Sequence, residues 1–286
     1  MPVIGPAKQT PPSYASGYAK SASESAHPNL WDGLVGAWMP GLGVTGETLR
    51  DVSGNDNHGT LQYDTSWKTY DSETSLYFDR VQDHVSGFDD VSLSSTEPFT
   101  IAIKVRLDSY LNAYPGLLQL KTDTSAPFFI FASQSGSYEG LNFGSADWDQ
   151  LRNSPSVFVT NKTQSVAITY NGNGSGNASN YSMYLDGKQT GIIDTAGFVA
   201  YSQQNYLGAL NGGASSVFNW HGSVNSFSIY KRVLSPSEIK QLYVDPLAPF
   251  RQRRYIPFGI TAAPSFNNWY ARPGRINRIV GSGVHV

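Results

Sequence analysis

The sequence predicts an all-β chain: a two-sheet antiparallel sandwich with one short helix toward its C-terminal end and extended arms at both termini. Three observations lead there. Apolar residues recur with a period of two in several short stretches, among them F-T-I-A-I-K-V at 99–105 and F-S-I at 227–229, which is the spacing of a strand with one face buried. Twenty-eight glycines and 16 prolines punctuate these stretches, and 13% aromatic residues suit a β core with many turns. Only one segment changes to a helical period. Ser235 can cap it, Pro236 suits its first turn, Glu238 can reach back as a capping box, and Ile239, Leu242 and Tyr243 then form one apolar stripe. With 286 residues and no second core pattern, one large sandwich with appendages fits better than two small domains.

Residues 1–30 are rich in Pro, Ser, Ala and Tyr without sustained periodicity. Such a segment has no core of its own, so whatever orders it lies outside it, either on a neighbouring chain or on the sandwich itself. L-V-G-A-W at 34–38 reads as the first strand, followed by an oxygen-rich loop, D-V-S-G-N-D-N-H-G, at 51–59. S-L-Y-F-D at 75–79, the stretch at 99–105, V-A-I-T-Y-N-G at 166–172 and M-Y-L-D-G-K at 183–188 continue the series. The chain then reaches H-G-S-V-N-S-F-S-I-Y-K-R-V-L-S-P-S-E-I-K-Q-L-Y at 221–243, a strand feeding the helix.

This ordered series resembles LamG-type domains, which are concanavalin A-like jelly rolls, over residues 34–243. The resemblance implies that the closing strand pairs near the start of the domain and that the helix packs beneath the sandwich. It divides the chain into an N-terminal arm (1–30), a jelly-roll sandwich (31–246) and a basic, aromatic C-terminal arm (247–286). It also implies a possible calcium site, with Asp51, Asn55 and Asn57 in the loop and Asn225 where the family has an acidic residue. Asn keeps an oxygen there and removes a charge. The other reading of the same loop is Asx and Ser turns that satisfy their own backbone, and such turns are common.

The segment G-S-A-D-W-D-Q-L-R-N-S at 144–154 places Trp148 between Asp147 and Asp149, with Arg152 close behind. An exposed aromatic beside carboxylates is suited to a sugar, because the ring stacks on apolar C–H groups while the oxygens accept hydroxyl hydrogens. Trp148, Asp147, Asp149, Arg152 and Trp220 are therefore glycan-binding candidates, with Tyr110 and Tyr114 as further rings; the alternative is a tryptophan that anchors a loop. Two flanking carboxyl groups could also serve a glycosidase. However, the E-x-D-x-E strand of hydrolases with this fold, G-x-S-x-G and the P-loop are all missing, so the expectation is not an enzyme. The histidines at 27, 58, 84, 221 and 285 form no metal signature and read as turn and surface residues. Four Asn-X-Ser/Thr matches between 161 and 182 fall in an Asn-, Gly- and Ser-rich stretch that produces them by chance.

The net charge of -2 combines an acidic body with a basic end, for residues 251–286 hold six arginines and no acid. Arg251, Arg253, Arg254, Tyr255, Trp269, Arg272 and Arg275 are the expected assembly contacts, since Arg beside aromatics suits protein interfaces and no nucleic-acid motif is present. Zero cysteines exclude disulfides, and no stretch is long enough to span a bilayer or reads as a secretion signal. The exit D-P-L-A-P-F-R at 245–251 with its basic tail resembles LamG-containing structural proteins of tailed bacteriophages. This second resemblance implies a non-catalytic virion surface protein, capsid decoration or tail-associated, whose arms join neighbouring copies or other virion proteins and whose sandwich binds glycans. A soluble lectin is the alternative and a divergent glycosidase the third reading.

Overall fold

The computed structural model describes residues 10–70, 72–110, 114–134, 140–145, 151–154, 159–173, 178–195, 203–213 and 218–254, with backbone alone at 151–154, 178, 193–195 and 213. In chain order the first strands are β1 (Leu34–Trp38), β2 (Thr48–Leu49), β3 (Gly59–Gln62), β4 (Ser66–Tyr70), β5 (Glu73–Asp79), β6 (His84–Ser86), β7 (Ser92–Leu93), β8 (Phe99–Leu107) and β9 (Gly116–Thr122). There follow β10 (Phe128–Ser133), β11 (Gly140–Ser145), β12 (Leu151–Ser154), β13 (Lys162–Tyr170), β14 (Tyr181–Leu185), β15 (Lys188–Thr190), β16 (Ile193–Thr195), β17 (Tyr206–Leu207) and β18 (His221–Tyr230). One α-helix, α1 (Pro236–Val244), closes the series among the described residues.

Two sheets result. The first runs β15-β14-β13-β8-β18-β5-β4, with β1 also on β18; the second runs β16-β12-β11-β10-β9-β17-β6-β3-β2, with β7 parallel to β9. All other pairings are antiparallel, so the expected all-β sandwich is what the chain forms. Alternation decides which side chains meet between the sheets. Ile101, Ile103, Val105 and Leu107 of β8 face Leu118 and Leu120 of β9, Phe128 and Ile130 of β10, and Leu141 and Phe143 of β11 across one continuous core. Trp38 stacks on Phe227 at 4.7 Å, and its indole N–H is satisfied by the Asn57 carbonyl at 2.8 Å. β18 approaches β8 so closely at Gly222, where φ is +149°, that a Cβ there would overlap the Arg106 carbonyl.

As the resemblance implied, β1 pairs with β18, Trp38 opposite Phe227, and α1 covers the outer face of the first sheet. There Ile239 and Leu242 meet Ala167 and Tyr184, together with Leu30, Leu34 and Phe250. The capping box is present: Ser235 Oγ accepts from the Glu238 amide at 3.3 Å, and Glu238 Oε2 accepts from the Ser235 amide at 2.9 Å. Glu238 also receives both arms of the Arg232 guanidinium, at 2.7 and 3.0 Å, and Arg232 in turn donates to the Asn29 and Asp32 carbonyls.

Of the two placements open to the N-terminal segment, on a neighbouring chain or on its own sandwich, the described residues take the second. Met1–Arg253 forms one compact unit, so the body continues past residue 246 and takes in the N-terminal segment. Residues 10–30 lie against their own sandwich, not extended away from it. Ala19 N–H donates to Phe250 O, Ala26 N–H to Arg251 O and Arg253 N–H to Glu24 O, all at 2.6–2.8 Å, while Ser25 Oγ and Trp31 Nε1 both donate to Pro249 O at 2.7 Å. Phe250 is fully buried against the edges of Trp31 and Tyr18. A segment without a core of its own is held here by residues 249–253, which follow the helix and supply the hydrogen bonds and apolar surface it lacks. Arg251, expected as an assembly contact, is engaged within the chain, pairing with Asp245 and donating to the Thr10 carbonyl. Tyr255, Trp269, Arg272 and Arg275 lie outside the described residues.

The bidentate Arg232–Glu238 pair ties helix, arm and sheet together. It holds the Glu238 carboxyl well below the usual range, at about 2 rather than 4.5. Because the folded value is depressed, its contribution is present above about pH 4.5 and is lost as pH falls toward 2. Glu238→Gln is expected to cost about 1–2 kcal/mol at pH 7 and much less at pH 2.5, checked by urea unfolding at the two pH values.

Candidate functional site

The outer face of the second sheet has two halves. On one half the alternate residues of β10, Phe129 and Phe131, are buried beneath Leu210, with Tyr114 edge-on to Phe131 at 5.9 Å and Phe218 packed alongside. The other half, made by β3, β6 and β17, is open. Its outward residues form a groove of about 400 Å³ lined by Gln62, Tyr63, His84, Ser86, Asp89 and Tyr206, among others.

Three rings span this groove. Tyr63, in the turn after β3, is 64% exposed, and its ring centroid lies 5.6 Å from that of His84; His84 meets Tyr206 edge-on at 5.3 Å. Tyr63 has φ +55°, a left-handed conformation that bulky residues rarely adopt, and such outliers concentrate at binding sites. The turn is tied down by Thr65 Oγ1, which donates to Gln62 O at 2.6 Å and His84 O at 3.2 Å. His84 is buried, and that burial holds its pKa below the usual value. Its Nδ1 lies 2.7 Å from the Gln82 carbonyl, which can only accept, so Nδ1 carries the proton and Nε2 is the acceptor of the neutral ring.

The floor is pinned by Asn205, fully buried and with its side chain fully paired: it accepts from Lys121 N–H at 2.6 Å and donates to Phe88 O and Val91 O, while its backbone amide donates to Asp89 Oδ1 at 3.0 Å. Gln62 Nε2 donates to Ser86 Oγ at 3.1 Å, and the Tyr206 hydroxyl bonds Gln204 Oε1. Exposed aromatic faces beside amide, hydroxyl and carboxylate oxygens can hold a polyhydroxylated ligand through C–H stacking and hydroxyl hydrogen bonds.

The residues expected to form sites are distributed differently. Asp147, Trp148 and Asp149 lie outside the described residues. Arg152 stands on β12 opposite Phe143 on one side and Asp194 on the other. Trp220 is fully buried in the core, its indole N–H donating to Arg106 O at 3.0 Å, so it offers no ring face to a sugar. Nor does the loop at 51–59 fit a calcium ion. Asp51 spends both carboxylate oxygens on Ala37 N–H, Ser53 N–H, Ser53 Oγ and Asn57 N–H, while the Asn55 and Asn57 amides donate to the Val35 carbonyl. Asn225 reaches away from the loop to donate to Thr74 O at 2.9 Å. These are the backbone-satisfying turns that formed the other reading. Among the described residues no group of three or more His, Cys, Asp or Glu side chains could hold a metal ion.

Two histidines also differ from the surface residues expected. His84 lines the groove. His221, on β18, is half-buried between Ser109 Oγ, just beyond β8 and 2.6 Å from Nδ1, and the hydroxyl of Tyr77 on β5, 3.2 Å from Nε2. In the sequence the groove leaves little local signal beyond Q-Y-D-T at 62–65, a polar turn with a tyrosine in it.

The fold and groove define a class: a two-sheet jelly roll with an open, aromatic and polar patch on one outer face. The Laminin_G_3 family model, described as the concanavalin A-like lectin/glucanases superfamily, matches residues 79–240, and the chain belongs to that superfamily. No curated protein matches the chain. Among solved structures it is similar to the sialidase of Trypanosoma rangeli in complex with 2,3-difluoro-KDN, with 14% identity and a TM-score of 0.50 over 75% of this chain and 33% of that one. It is also similar to domain 4 of a GH43 extracellular arabinanase from Geobacillus stearothermophilus in complex with arabinotriose, with 14% identity and a TM-score of 0.49 over 73% of this chain and 98% of that one. A third is the binding domain of Paraclostridial Mosquitocidal Protein 1, with 15% identity and a TM-score of 0.46 over 75% of this chain and 52% of that one. The chain spans about a third of the length of the sialidases it matches.

These findings correct the expectation that the chain is not an enzyme. Its superfamily is described as one of lectins and glucanases, and a sialidase and a domain of an arabinanase are among the structures it resembles, so the missing motifs do not exclude an enzyme. At this identity the likeness establishes the fold and assigns no activity.

Beside the groove, Asp83 is fully buried, with Oδ2 accepting from Asp79 N–H at 2.9 Å and Oδ1 without a hydrogen-bond partner. Burial, with the Asp79 carboxylate close by, pushes its pKa up from 3.8 to about 6. The stability tied to its protonated form is therefore complete below about pH 4 and lost as pH rises through 6. Asp83→Asn is expected to stabilise the protein by about 1–2 kcal/mol at pH 8 and to flatten the pH dependence between 4 and 6, read from thermal unfolding across that range.

Proposed function

We propose that this chain binds carbohydrate, and that the sugar lies in the groove formed by β3, β6 and β17. The observation that carries the reading is the run of three rings, Tyr63, His84 and Tyr206, beside Gln62, Ser86 and Asp89 on the outer face of the second sheet. Tyr63 supplies an exposed surface for the C–H face of a pyranose or furanose, His84 Nε2 accepts a hydroxyl hydrogen, and the amide and carboxylate groups fix orientation. Membership of a superfamily of lectins and glucanases supports the same reading.

The narrower role expected from the sequence, a virion surface protein that joins its neighbours through two arms, is supported by the arginine- and aromatic-rich residues 251–286. Residues 10–30 no longer count toward it, because their bonds are made to their own sandwich.

Screening the whole chain on a glycan array and titrating the best hit gives the test. Tyr63→Ala and Tyr206→Ala are each expected to weaken binding about tenfold or more, with the circular dichroism spectrum and melting temperature unchanged for the exposed Tyr63. Retention of no glycan, or affinity indifferent to both substitutions, would overturn the proposal.

A further inference from the structure

The wall of the groove is rich in hydrogen-bond acceptors and carries one formal charge among its described lining residues, and that charge is negative. Asp89 is exposed at its edge; Oδ1 accepts from the Asn205 amide and Oδ2 is turned to no donor in the described structure. His84, which could have supplied a cation, is buried with Nδ1 bonded to the Gln82 carbonyl, so this lining residue is a neutral ring whose other nitrogen, Nε2, is an acceptor. The Gln62 and Gln204 amides and the Ser86 and tyrosine hydroxyls are uncharged. A cation does approach: Lys121 Nζ donates to the Asp89 backbone carbonyl at 3.1 Å, but Lys121 does not line the groove.

Resting on the carbohydrate reading above, we propose that the groove selects uncharged glycans and excludes sugar acids, with Asp89 as the residue that sets the preference. Hydroxyl groups donate into the acceptor wall, where each finds a partner. A carboxylate brings no hydrogen to donate and meets the Asp89 carboxylate in a partly dehydrated site, where like charges repel more strongly than in bulk water.

The experiment uses the whole chain at pH 7.5 and low salt, with matched probes: lactose against 3′-sialyllactose, and a galactan tetrasaccharide against tetragalacturonate. The neutral member of a bound pair is expected to bind at least tenfold more tightly, and the ratio is expected to shrink as salt is raised from about 20 to 500 mM, since the repulsion is screened. Asp89→Asn keeps an oxygen for the Asn205 amide and is expected to bring the two affinities within about twofold. Equal or tighter binding of the acid, abolished by Tyr63→Ala, would overturn the selectivity while leaving the groove as the carbohydrate site. A preference unchanged in Asp89→Asn would overturn the role of that residue. Failure of every probe and glycan to bind, or binding indifferent to Tyr63→Ala and Tyr206→Ala, would overturn the carbohydrate reading itself.

Discussion

Strand β18 is bonded along both edges and covered on both faces, and the arrangement of the rest follows from that constraint. One edge runs along β8 from Gly222 to Tyr230. The other is shared, β5 taking residues 221–224 and β1 taking 227–230. A strand this deeply buried can leave no backbone group unpaired, so the handover from one neighbour to the other has to be managed. It falls at Asn225, where the β8 register shifts and the side-chain amide donates to the Thr74 carbonyl of β5. The asparagine that replaces an expected acid thus has a structural use at the point where two strands share one edge.

Covering the second face of β18 explains why the chain folds back on itself. Tyr230 and the outward residues of β8 and β13 would be open to water on a bare sheet. The helix covers part of that surface, and residues 10–34 and 247–250 cover more, with Leu30, Leu34 and Phe250 joining Ile239 and Leu242 in one cluster. Arg232 and Glu238 sit at the seam, charged groups whose bonds cross from helix to arm. Residues 10–30 are therefore part of the body's packing, the second of the two placements that their composition left open.

The other sheet shows what happens where such a cover stops. Phe129 and Phe131 are sealed by Leu210, Tyr114 and Phe218, yet four strands along the same sheet, at the end of β3, Tyr63 stands exposed in a left-handed turn. Leaving a large ring in water and in an unfavourable backbone conformation costs stability, and the surrounding bonds from Thr65 and the fully paired Asn205 hold it there. A rigid, preformed groove loses little entropy when a ligand orders within it, which favours binding of weakly contacting sugars. Its acceptor-rich wall follows from the same framework, because Gln82 commits the proton of His84 to Nδ1 and leaves Nε2 an acceptor.

Local chemistry alone determined the strand periods, the capping box at Ser235, the turns around Asp51 and the superfamily, because alternation, caps and Asx turns involve residues a few positions apart. Tertiary structure alone decided that Trp220 is core, that residues 10–30 pair with 249–253, and that Tyr63, His84 and Tyr206 share one groove. The physical reason is separation: those three rings come from segments as much as 143 positions apart, and no periodicity links them until β3, β6 and β17 hydrogen-bond side by side.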